Sequence, residues 1–425
     1  MKYIAIIITV LSFQINSFAL SMTDLFEALK KQPVSKVDAL QVREANVGVK
    51  SAKDALYPKL YLIGSYNHYN RPSSLRPVLP TETPTLLAED KPLPFSKDIT
   101  KVGVDLNFPI FVKSLYTIRD KAKLIKLSSK QKSRLNLIQR EAKILGANAS
   151  LNYLEYLKIA LNEKRKSLLK MRKDIVLKVA NGRAAPVALN KIDQSLNSID
   201  IAKNKIDLSK NEISSLIETL TGIRVDKSIE FYQAKEIKKE SIFALLPLKN
   251  LLKAKKVGLK AAKEALYPAL FLNANYFKSY ADGYNNDKSI TTGFGTIGVK
   301  LVMPLYDRSK YTHIQKARVA YEKERAILAK TKNELLVKAK ELENDINLLK
   351  RSEELTKKSI KNQKELLKVA KVAFKNERMS EEEYLRYEDK LSSLRATLAQ
   401  VKAKKWQDLA QLAVIYGNDL EGVVR

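Results

Sequence analysis

The chain has few residues with which to do chemistry. Histidine occurs twice, at His68 and His313, and cysteine is absent. Without thiols there is no disulfide, no Cys-ligated zinc and no thiolate nucleophile. Two isolated histidines make neither a metal cluster nor a proton relay. No catalytic residue, no metal site and no cofactor is therefore expected, and the chain does not read as an enzyme. What remains is charge at particular places. Gly182, Arg183 and Ala184 fall in the break "VANGRAAP" (179–186), and Arg378, Met379 and Ser380 in the break "FKNERMS" (374–380). After the second break Glu381, Glu382 and Glu383 occupy the first turn of a helix, where the helix dipole favours negative charge. Arg386 follows one turn later and is expected to pair with Glu383. Asp105 and Lys300 lie on the polar side of two alternating strands.

The elements that must position these residues are long helices. Charged residues make up 29% of the 425, while Gly and Pro number only 13 each, a composition suited to extended helices rather than a compact α/β enzyme. The N-terminus has Lys2, the apolar run "IAIIITVLSF" and Ser17-Phe18-Ala19, the pattern of a secretory signal peptide cleaved after Ala19. That run is too short to span a bilayer, which takes about 20 apolar residues. The formal net charge is +31, and Lys-rich solvated helix faces account for it. Export from the cytoplasm sets aside nucleic acid, the usual partner of a basic chain.

The sequence repeats. "ALYPKLYLIGSYNHYN" (55–70) and "ALYPALFLNANYFKSY" (265–280) match at an offset of 210. "LNFPIF" (106–111) and "LVMPLY" (301–306) match at 195, as do Asn181 with Asn376 and Gly222 with Gly417. The first half holds the extra length in 71–94, with six of the 13 prolines, read as an extended loop outside the cell. The expected organisation is residues 20–222, with strands about 57–70 and 99–108 and a helix pair over 113–221, then 223–425. The second repeat has strands about 267–280 and 294–303 and a helix pair over 308–416.

Each strand alternates. Val102, Val104, Leu106 and Phe108 oppose Lys101, Gly103, Asp105 and Asn107, while Ile297, Val299 and Leu301 oppose Gly298 and Lys300. Aromatics gather at the strand ends: Tyr57, Tyr267, Phe111 and Tyr306 at one, Tyr66, Tyr69, Tyr276 and Tyr280 at the other. The residues between span about 21–30 Å, close to the apolar band of a membrane barrel. Four strands cannot close, so the strands must be completed by other copies. The helical runs after each strand pair would reach about 100 Å. They carry coiled-coil spacing at Ile144, Ala147, Leu151 and Leu154, and at Leu335, Ala339, Leu342, Ile346 and Leu349.

With its doubled "ALYP" strand starts, "FPIF"/"MPLY" junctions and breaks after Asn181 and Asn376, the chain resembles the TolC family of outer-membrane efflux proteins. The resemblance implies a homotrimer whose outer-membrane β-barrel, four strands per chain, continues as an α-helical barrel across the periplasm. It implies a passive exit duct of a tripartite efflux or type I secretion system, embedded in outer-membrane lipid and joined to an inner-membrane transporter through a periplasmic adaptor. It implies adaptor contact at the turns, through Gly182, Arg183, Ala184, Arg378, Met379 and Ser380, with Glu383 and Arg386 at a gate. Glu377 departs from the glycine usual there. Asp105 and Lys300 would line the barrel lumen. The alternative is a secreted coiled-coil scaffold or adhesin without channel activity.

Overall fold

The computed structural model describes residues 20–183, 185–376 and 378–424. The expected signal peptide, 1–19, and Ala184 and Glu377 lie outside them. Two compact units divide the chain, and each contains parts of both sequence repeats.

The unit made of residues 39–133 and 245–333 holds the sheet. Strands β1 (Lys59–Ser74), β2 (Phe95–Phe111), β3 (Ala269–Asp282) and β4 (Ser289–Val302) form one antiparallel sheet in the order β1-β2-β3-β4. Tyr61, Asp105, Asn275 and Thr296 make one row across all four strands. Leu62, Val104, Tyr276 and Gly295 make the next. Directly paired residues share a face and successive ones alternate, so the register sorts every side chain. One face carries Leu60, Leu62, Val102, Val104, Leu106, Leu270, Leu272, Ile297, Val299 and Leu301; the other carries Asn107, Asn273, Asn275, Thr296 and the charged candidates.

The strands run further than the alternation suggested, β1 to Ser74 and β4 back to Ser289. The segment expected as an extended loop is not structureless: it contains α3 (Glu82–Ala88). Glu82 opens that helix with a favourable first-turn acid and pairs with Arg76. In the same unit Ser128 Oγ donates to Pro247 O at 2.7 Å, and Asn250 donates to Gln131 at 2.7 Å. These bonds tie the helix after β2 to α6 (Leu246–Glu264).

The other unit comprises 20–38, 134–244 and 334–424 among the described residues. Its helices are α1 (Met22–Lys31), the start of α2 (Pro33–Asp54), α5 (Val187–Thr221), α8 (Glu381–Tyr416), α9 (Leu420–Val423) and parts of α4 (Lys113–Ala180) and α7 (Arg308–Lys375). The expected seams are real packing lines: Ile144, Leu145 and Leu151 of α4 are buried with Leu25, Phe26 and Leu29 of α1, Ile217 of α5 and Ala413 of α8. Ala339, Leu342 and Ile346 of α7 pack on Leu412 and Ile415 of α8. Both returning helices end on a glycine in the left-handed region, Gly222 at φ 74° and Gly417 at φ 75°. The segment after α5 is sewn to α4. Asn148 donates to Ile229 O at 2.7 Å and accepts from Ile229 N at 2.8 Å, and Glu155 accepts from both the N–H and the hydroxyl of Ser228.

Candidate functional site

The two turns are built alike. Lys178 O accepts the Arg183 N–H at 2.7 Å, and Ala373 O accepts the Arg378 N–H at 2.9 Å, the same five-residue closure of a helix C-terminus. Gly182 supplies the first turn's left-handed residue at φ 68°, in open space. Arg183 and Arg378 are exposed and Met379 is half-buried. Among the described residues no hydrogen bond or ion pair joins one turn to the other.

Ser380 and Glu383 come together in a capping box. The Ser380 hydroxyl accepts the Glu383 N–H, and the Glu383 carboxylate accepts the Ser380 N–H, both at 3.2 Å. The expected Glu383–Arg386 pair does not form: Arg386 reaches back four residues to Glu382 at 2.7 Å. The physical reason is competition. The cap holds Glu383 against the backbone, while the i, i+4 position puts Glu382 one turn below the guanidinium. Next to the turn, the rings of Phe374 and Tyr384 stack 5.2 Å apart, and the Tyr384 hydroxyl donates to Glu388 at 2.8 Å.

Asp105 and Lys300 share the polar face of the sheet without touching. Asp105 pairs with Asn275 and Lys300 with Phe271, on strands separated by β3.

The sequence reading missed an ion-pair ladder. Lys158, Arg165 and Arg172 of α4 meet Asp207, Asp200 and Asp193 of α5. The distances are 2.5, 2.9 and 2.6 Å, and both arginines make a second bond to the same carboxylate. Every rung is seven residues from the next on both helices, so the charges stay on one seam as the pair winds. Opposite charges at equal heptad spacing on two antiparallel helices are the signal that would have found it.

A buried carboxyl was missed too. Glu141 of α4 is fully buried beside α9 and accepts the Leu420 N–H at 3.2 Å through one oxygen. Its other oxygen has no partner. Burial, and then the charges of Asp419 and Glu421, push its pKa up to about 8. Among the described residues no group of three or more His, Asp or Glu side chains could hold a metal, and no helix is long and apolar enough to cross a membrane.

Two strands followed by a pair of long helices, written twice in one chain so that the four strands form one antiparallel sheet, is the fold of TolC-type outer-membrane channels. Three solved structures match it over nearly their whole length. The outer membrane protein VceC of Vibrio cholerae superposes with a TM-score of 0.70 at 15% identity, covering 93% of this chain and 96% of its own. The Campylobacter jejuni CmeC outer membrane channel gives 0.72 at 14%, over 95% and 85%. The open state of the Neisseria gonorrhoeae MtrE outer membrane channel gives 0.70 at 13%, over 95% and 90%. No protein-family model and no curated protein matches the sequence.

Proposed function

We propose that this chain is a passive exit duct of the outer membrane, assembled as a homotrimer, extending into the periplasm and serving an inner-membrane transporter through a periplasmic adaptor. One observation carries the reading. The sheet presents a whole face of exposed apolar side chains, with Leu62 at 79%, Ile297 at 77% and Leu301 at 67% exposure. Burying each such side chain is worth roughly 1.5–3 kcal/mol, so a face of them demands an apolar surrounding. The opposite face is mostly polar, with Tyr61, Ile63, Phe271 and Phe277 among its polar residues, and a charge such as Asp105 or Lys300 is inexpensive beside a water-filled lumen.

The outer edges of β1 and β4 carry no strand partner in the sheet. In lipid those backbone groups must be satisfied, and pairing β4 of one copy with β1 of the next does so. The helices support the same arrangement. Ile201 and Leu208 of α5, and Leu348 and Leu355 of α7, are exposed apolar residues at heptad spacing, suited to seams between copies. The two turns, with exposed Arg183 and Arg378, form the docking end for the adaptor. Opening proceeds through α7 and α8, which lack the ladder that pins α5 to α4.

Planar-bilayer conductance of the detergent-extracted chain, with its mass measured in the same detergent, tests the reading. A trimer carrying small, steady currents is expected. A water-soluble monomer or dimer without conductance would overturn it in favour of a secreted scaffold.

A further inference from the structure

The polar face of the sheet is not open along its whole height. Near its helix-distant end, two residues of that face are buried: Ile99 is fully covered and Ser279 is 2% exposed. Both belong to the face of Asp105, since Ile99, Lys101, Gly103 and Asp105 alternate along β2 without a bulge, and Ser279 pairs with Lys101. Their neighbours on the apolar face, Asp98, Thr100, Lys278 and Tyr280, are exposed. At the level of Ile99 and Ser279 the cover therefore lies on the polar side.

The cover is the segment between β1 and β2. Its first residue, Leu75, is buried, and Leu75 O accepts a hydrogen bond from the Ser279 hydroxyl at 3.4 Å, which places the segment against the polar face. Pro94 at its far end is buried too, and Pro94 O accepts the Leu75 N–H at 2.9 Å, closing the neck. The short turn between β3 and β4 then holds it in place. Asn285 accepts the Leu93 N–H at 2.8 Å and donates to Lys91 O at 3.2 Å. Asn286 donates to Asp90 O at 3.1 Å, and Lys288 pairs with the Asp90 carboxylate at 2.6 Å. Gly283 lies against Pro92, where a Cβ would come within 2.6 Å of the proline ring. A flexible solvent loop would have no reason to make so many specific bonds to the neighbouring hairpin.

We propose that residues 75–94, pinned by the 283–288 turn, fold inward as a fixed cap that narrows the outer mouth of the lumen. This rests on the exit-duct reading, in which the polar face of the sheet is the lumen wall. The cap then acts as a size filter at the mouth. Three copies around one axis would each contribute an α3 helix to it.

The absence of native cysteine permits a clean test. Asp105→Cys places a single thiol on the polar face, inward of the cap. Intact cells carrying this variant are treated from outside with a small charged maleimide or with the same maleimide on a bulky polymer. The same is done in a background where residues 78–90 are replaced by a short Gly-Ser linker, and in one carrying Asp90→Ala with Lys288→Ala. The small reagent is expected to label all three. The bulky one should label the linker variant, label the double-alanine variant partly, and leave the intact cap unlabelled. Equal bulky labelling with the cap intact, or none after its removal, overturns the cap. The trimer mass of each variant, measured in detergent, separates this from the duct reading: a chain that is not a membrane trimer in its unaltered form fails the duct itself.

Discussion

The two repeats of this chain share a plan and differ in how each is held. At the offset of 195, the ladder positions Lys158/Asp207, Arg165/Asp200 and Arg172/Asp193 correspond to Glu353/Lys402, Ile360/Arg395 and Leu367/Glu388. One rung is reversed in sign and two are no longer ion pairs. Glu353 instead pairs with Lys357 on its own helix and with Lys405 across the seam. The second hairpin is joined instead through apolar side chains, Ala339, Leu342 and Ile346 of α7 against Leu412 and Ile415 of α8. It also has a capping box, Ser380 with Glu383, where the first hairpin has Ala185 and Ala188. Charge ladders fix one axial register, because sliding a helix breaks every rung together. Apolar seams of this kind pack closely without specifying one register as sharply. In the proposed duct, this difference gives the rigid role to α4/α5 and the moving role to α7/α8.

The largest expected effect lies where the first repeat buries a carboxyl and the second exposes a leucine, at Glu141 and its counterpart Leu336. The native pKa of Glu141, about 8, is raised above the ordinary 4.5. A raised carboxyl contributes most to stability below the unfolded value, and that contribution is lost as pH rises toward the native one. Stability should therefore fall between about pH 4.5 and 8 and level off above. At about 1.4 kcal/mol per pKa unit, Glu141→Gln should stabilise the fold above that window by a few kcal/mol and change little at low pH. Thermal unfolding in detergent across this range checks it. A pH-independent difference would mean that the asymmetry is one of packing alone.

The two helix-ending glycines give a sharper contrast. Both need the left-handed region, which costs a non-glycine residue about 1–2 kcal/mol. At Gly222 an added Cβ meets the flexible end of Gln32, 2.6 Å away. At Gly417 it overlaps the Phe243 ring, which cannot swing aside as easily. Gly417→Ala should therefore lower the melting temperature more than Gly222→Ala. Equal losses would show that backbone conformation sets the cost at both and that the ring yields freely.

Such contrasts explain what could be read from the sequence. The strands and seams were legible because alternation and heptads are local: Val102 to Phe108 and Ile144 to Leu154 declare their faces without knowing a partner. The α3 helix was hidden by the prolines around it, since its support comes from the pairing of Glu82 with Arg76. Glu141 sits between Arg140 and Ala142 in a helix rich in charge, and only the packing of α9 upon it distinguishes it from a solvated residue. The adaptor-contact and gate residues were placed by resemblance. The register of Glu383 was set by its own cap rather than by Arg386, a competition between two local bonds that residue types alone do not decide.

The smallest effect is the most direct probe of the rigid hairpin. The ladder residues are partly exposed, so each rung is weak and screened by salt, and its value lies in the shared register. Arg165→Asp should reduce amide-exchange protection in α4 and α5 toward the turn, more at low salt than at high. Adding Asp200→Arg should restore most of it, because the reversed pair can form the same bidentate contact. In the second repeat Glu353→Gln, at the counterpart of Lys158, removes only the contacts to Lys357 and Lys405 and should leave exchange toward its turn nearly unchanged. If the reversed pair fails to rescue and salt has no influence, the first hairpin is held by Ile192, Leu196 and Ile199, which are buried along the same helix. Its register would then be no better fixed than that of α7/α8, and the motion that opens the tip would have to be shared between the two hairpins.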